Sequence, residues 1–166
     1  MDKDRTISRG QIVVNLALVL VLGLNWISIC IKNPELIAWY DNGLPSAPIF
    51  YESLLMEFVP FWIVAMLSRV LALSTKLAYG KWTIVATIAT MFSHTITALF
   101  LLFFLFQDEI VTDAFLERMV LLKPSLRTTI HIWESAIIWA LIAIVVISFI
   151  MVMGRSTKRL IALIYN

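Results

Sequence analysis

At 166 residues, the chain is 61% apolar and 14% charged, with a net charge of +2, whereas a soluble domain averages ~25% charged. Its few basic residues are accounted for by membrane topology, so nucleic-acid binding is unsupported. A single cysteine, Cys30, excludes an internal disulfide and the paired-thiol chemistry of membrane oxidoreductases.

Four apolar runs, residues 12–31, 54–74, 82–106 and 130–153, dominate the chain. Each is long enough to cross a ~30 Å hydrocarbon core, which takes about 20 helical residues. The expected fold is all-α: one polytopic domain spanning 1–166, with four transmembrane helices in a bundle and no room for a second domain. The first run follows basic residues (Lys3, Arg5, Arg9) but ends in Ile27-Ser28-Ile29-Cys30-Ile31, without a small-x-small cleavage pattern. It reads as a retained helix. Asn25-Trp26 suits the outer interface, and the deeper Asn15 should face a neighbouring helix where its amide finds a partner.

Residues 32–51 form the first outer loop. Asn33-Pro34 and Asp41-Asn42-Gly43 are turn signals, and Pro45 and Pro48 keep the chain extended. The loop is too short for a domain and too apolar to float, so it should lie on the bilayer or pack over the helix ends. The second run is the most polar. Glu57 and Arg69 bracket an uncharged core, with Glu57 near the outer boundary and Arg69 snorkelling to the inner one. Pro60 should kink this helix. Such a span is normally buried against other helices. Residues 77–80 make a tight turn, pairing spans two and three as a hairpin. Span three carries Ser93-His94-Thr95 and Thr97 near mid-membrane. In the second outer loop, Ile110, Val111, Ala114, Phe115, Met119 and Leu122 recur at spacings of three and four, predicting an amphipathic interfacial helix over about 109–122. After span four, Arg155, Lys158 and Arg159 should meet anionic headgroups, with an interfacial turn beyond them.

Charge orients these elements. Nine cations, Lys3, Arg5, Arg9, Arg69, Lys76, Lys81, Arg155, Lys158 and Arg159, fall on one side, and Lys32, Arg118, Lys123 and Arg127 on the other. The positive-inside rule then places both termini in the cytoplasm. Nine of the eleven carboxylates lie toward the outside, which is net −5. That face would attract a cationic partner.

The candidate chemistry is sparse. His94 and His131 lie on different spans, but their depths differ by on the order of 10 Å at 1.5 Å per residue, too far to share a haem iron. His131 and Glu134 share a helix face, and Glu57 should lie at similar depth. These three could form a polar intramembrane cluster, as a proton relay, a weak metal site or a structural ion pair between spans two and four. A metal site would want further nitrogen or sulfur ligands, so no metal or cofactor is expected. No phosphate loop, nucleophile elbow or zinc-protease motif occurs, so the expectation is a non-enzyme. The acidic outer segment, with Asp108, Glu109, Asp113, Phe115 and Glu117, is the expected recognition surface. Arg69, Lys76, Lys81, Arg155, Lys158 and Arg159 are the expected topology determinants.

Several steps in this chain resemble the immunity proteins that protect bacteria from pore-forming colicins, in the group serving colicins A and B. They are Pro34-Glu35 after span one, Leu44-Pro45-Ser46 before span two, Glu57-Phe58-Val59-Pro60-Phe61 at its start, the basic stretch from Arg69 to Lys81, a long outer loop and a basic C-terminal segment. The family's Lys-Thr-Ala-Pro step stands here as Glu57-Phe58-Val59-Pro60. The resemblance implies four spans, both termini cytoplasmic, and interception of a toxin's pore-forming domain by helix–helix contact in the inner membrane. Over a smaller part, Pro34 to Pro45 is similar to the segment between spans of type II secretion F-type assembly proteins. The rival reading is a small transport or secretion/assembly subunit built on Glu57, His131 and Glu134. A plain scaffold is a third.

Overall fold

The computed structural model describes residues 8–165; Asp2, Lys3, Asp4 and Arg5 lie outside the described residues. Four helices are long and apolar enough to cross a membrane. These are α1 (Arg9–Lys32), α2 (Glu52–Tyr79), α3 (Ile84–Leu105) and α5 (Ile130–Ile164); between the last two lies the short α4 (Asp113–Leu122). A two-stranded hairpin, β1 (Ala38–Asp41) and β2 (Leu44–Pro48), joins α1 to α2.

Local chemistry sets these boundaries. Ser8 caps α1 by accepting from the Gln11 amide at 3.4 Å. Asn33-Pro34 ends the helix, because the residue before proline is pushed out of the α region. Gly80 closes α2 in the left-handed conformation at φ 63°, which glycine adopts without a Cβ penalty. The guanidinium of Arg9 lies 3.2 Å from where a Cβ would sit, so a side chain here would have to push it aside. Thr83 opens α3 by accepting from the Ala86 amide at 3.1 Å.

The helices pack in chain order, α1 on α2, α2 on α3 and α3 on α5. The four helices therefore form a row, with α1 and α5 at its ends. Adjacent members run antiparallel: Arg9 meets Gly80 where α1 starts and α2 ends, and Phe106 meets Trp139 where α3 ends and α5 starts. The hairpin end therefore holds the start of α1, the α2–α3 turn and the end of α5. The loop end holds β1, β2 and α4.

The polar, proline-containing α2 is the most enclosed span, burying Leu54, Leu55, Phe58, Val59, Ala65, Ser68, Ala72 and Leu73. Small buried residues mark its junction with α3, where the Ser68 hydroxyl donates to Ser93 at 3.4 Å. Small side chains let backbones approach in a medium where apolar burial alone gives helices no preference for one another. At the loop end the junction becomes aromatic. Phe58, 1% exposed, packs on Phe61, Phe103 and Phe104 with ring centroids 5.0–5.3 Å away.

Three expectations change. Asn15 is exposed and makes no hydrogen bond to a neighbouring helix among the described residues. The reason is that α1 touches α2 through the stripe holding Gly23, Trp26, Ile27 and Cys30. The last helix does not turn at Met153 but continues to Ile164. The amphipathic segment is helical only from Asp113, because Val111 pairs with Phe50 as an isolated strand bridge.

Candidate interaction site

The first loop folds as a β-hairpin on a two-residue turn. Asn42 and Gly43 both have positive φ, 51° and 81°, the mirror-image turn geometry that matches strand twist. The register pairs Asp41 with Leu44 and Tyr40 with Pro45, then slips at Trp39, which pairs with Ala47. The prolines are tolerated because β2 has only one partner.

This hairpin is fastened to α4. The Thr112 amide donates to the Ile49 carbonyl at 3.0 Å. The Thr112 hydroxyl donates to the Pro48 carbonyl and accepts from the Phe115 amide, so one buried side chain both caps α4 and ties it to the first loop. Trp39 packs on Phe115 with centroids 6.4 Å apart. Arg118 of α4 forms an ion pair with Asp41, and its hydrogen bond holds the Asp41 carboxyl below the ordinary carboxylate range. Two loops far apart in sequence thus make one ordered cap.

Beneath the cap is a cavity of about 500 Å³. Phe115 and Met119 of α4 line its roof side, with Phe104 and Leu105 of α3 and Ile137 and Leu141 of α5 as walls. Glu134 is the only charged side chain on its lining. A second groove runs along the outer side of α4 and carries Asp113, Glu117, Arg127 and His131. Asp108, Glu109, Asp113 and Glu117 are exposed, and Phe115 is half-buried between the cap and the cavity.

The predicted polar trio is not assembled. His131 Nδ1 lies 3.6 Å from Glu134 Oε2, with His131 82% exposed. Glu57 is exposed on α2, and no group of three such residues could hold a metal among the described residues. The cause is the packing order: α3 separates α2 from α5.

Arg69 and His94 make the polar contact that sequence reasoning missed. The Arg69 side chain turns to α3, where its Nη1 lies 2.7 Å from His94 Nε2. Arginine only donates, so this imidazole nitrogen accepts. Arg69 stands ten residues before the end of α2 and His94 ten after the start of α3, about 15 Å along each helix. Equal distance from a tight hairpin turn was the available signal, but α2 runs five residues past the expected end of the span. Arg69 is half-buried and forms no ion pair among the described residues. A guanidinium at helix mid-span costs roughly 2.5–3.5 kcal/mol on insertion scales.

The other expected topology cations gather at the hairpin end, whereas Lys32, Lys123 and Arg127 lie at the loop end. Lys76 Nζ and Arg159 Cζ lie 4.6 and 4.2 Å from the Trp82 ring centroid, within cation–π range. Lys81, Arg155 and Lys158 are exposed at the same end. Every described carboxylate lies at the loop end or within about two turns of it along a helix.

No known protein family, curated protein or solved structure matches this chain.

Proposed function

We propose that this chain is a multi-pass protein of a bacterial inner membrane, with both termini cytoplasmic, that acts by contact rather than catalysis. Its reading is immunity to a pore-forming bacteriocin of the colicin A/B type. The observation that carries this is the cap: an ordered, acidic, exposed surface clasped over an apolar cavity between α3 and α5. Basic cap residues are few, so the net negative face would steer a cationic pore-forming domain from the periplasm. An apolar segment of that domain could then exchange lipid contacts for the cavity wall.

The test is protection. The chain is expressed in a sensitive strain and challenged with a panel of pore-forming bacteriocins. Survival against at least one, abolished by neutralising Asp108, Glu109, Asp113 and Glu117 together, supports the reading. Sensitivity to every toxin tested, with the protein present in the membrane, counts against it.

The Arg69–His94 contact favours a second reading, a small transport or secretion/assembly subunit with a polar intramembrane site. That site would be Arg69 and His94 in place of Glu57, His131 and Glu134. Under it, His94→Gln removes a transport or assembly phenotype while changes in the cap are silent.

A further inference from the structure

α1 and α3 each pack on α2, and the space between them is a groove of about 540 Å³. Leu22, Gly23 and Trp26 line one side and His94 and Thr97 the other. Its floor is α2, with Trp62, Ala65, Met66 and Arg69. Two observations separate this groove from an ordinary lipid-facing furrow. Arg69 carries a full charge near mid-span, and its only side-chain partner among the described residues is the uncharged acceptor nitrogen of His94. Trp62 buries its indole Nε1–H with no hydrogen-bond partner. Both are donors, but the indole nitrogen is sealed from the groove, so Arg69 is the one it presents; among the described residues its lining holds no carboxylate to answer that charge.

We infer that this groove receives a transmembrane helix of another protein carrying an acidic side chain at mid-membrane depth, whose carboxylate pairs with Arg69. A straight furrow between two helices, floored by a third, has the form in which a further helix packs. A carboxylate at that depth neutralises the guanidinium in a medium where charge pairing replaces missing water. A second copy of this chain, side by side in the same orientation, cannot supply it. Glu57 is twelve residues from Arg69, about 18 Å along the helix, and Glu134 lies in the opening turns of α5. The groove is distinct from the cap and does not depend on the partner being a toxin.

The probe is a synthetic leucine–alanine transmembrane peptide with one central Glu, labelled with an energy-transfer acceptor. The full chain is reconstituted in phosphatidylcholine vesicles at pH 8, and transfer from its tryptophans is titrated. The Glu peptide should associate at least about tenfold more tightly than peptides with central Gln or Lys, the scale of one charge-assisted hydrogen bond. Arg69→Gln should erase that preference and Arg69→Lys should keep part of it. Circular dichroism of each variant shows that the fold is retained, and the Lys variant keeps the test valid if Gln disrupts packing. Equal association of Glu and Gln peptides overturns the inference. So does a Glu preference that survives in Arg69→Gln, or displacement of the Glu peptide by stoichiometric oleate, which would make the ligand a free lipid carboxylate.

Discussion

Replacing Thr112 with valine keeps its shape and deletes its hydroxyl. In the native cap that hydroxyl makes two bonds, accepting from the Phe115 amide and donating to the Pro48 carbonyl. Loss of a helix N-cap costs ~1 kcal/mol, and loss of a part-buried side-chain bond to a carbonyl costs about as much. Together they weaken the docking of α4 on the hairpin by about 2 kcal/mol, a roughly 30-fold rise in the open population. Hydrogen exchange in nanodiscs reads this directly. Amides 115–119 should exchange about 30-fold faster in Thr112→Val, while those in the middle of α2 and α3 keep their protection. Thr112→Ser should behave as wild type. Unchanged exchange in α4 would refute the claim that this residue fastens the cap. Acceleration spreading into the spans would refute the claim that the cap opens as its own unit.

Phe58→Ala should destabilise the α2–α3 junction by about 2–3 kcal/mol, at or below the low end of the 3–5 kcal/mol seen for buried aromatics, because lipid already solvates the separated helices; unfolding in mixed micelles measures it. Gly80→Val forces a branched residue to φ 63° and a Cβ within 3.2 Å of Arg9, so it should cost at least ~1 kcal/mol in the same assay. Asp41 has a depressed folded pKa, so its clasp contributes above the ordinary carboxylate value and is lost as pH falls through the lower folded one. Trp39 emission should therefore stay constant from neutral pH down to about pH 4 and change only below it, whereas Arg118→Gln should move that transition upward.

Much of the architecture was legible because hydrocarbon imposes one rule, that backbone groups are satisfied within the segment. Apolar length located four helices, and charge anticipated that α2 would be enclosed. What pattern did not reveal is tertiary. The Asn42-Gly43 turn was visible, but the stretch holding Pro45 and Pro48 read as extended chain rather than as a paired strand, since the prolines hide a strand signal. Thr112-Asp113 is a helix start signal that the apolar periodicity of Ile110 and Val111 overrode. The Glu57, His131 and Glu134 grouping assumed that spans two and four touch at that depth, and the order of packing undid it. Arg69 and His94 share a depth only because α2 runs on to Tyr79, an extension that hydropathy did not mark.

The functional reading turns on which side of the membrane the cap faces. Cys30 is buried, so Cys30→Ser gives a cysteine-free background. Single cysteines then replace Leu44 at the hairpin tip, 70% exposed, and Lys158 near the opposite end. In intact spheroplasts a membrane-impermeant maleimide should label the Leu44→Cys variant at once and the Lys158→Cys variant only after permeabilisation. Labelling of Lys158→Cys without permeabilisation, with Leu44→Cys protected, would invert the protein and contradict the account.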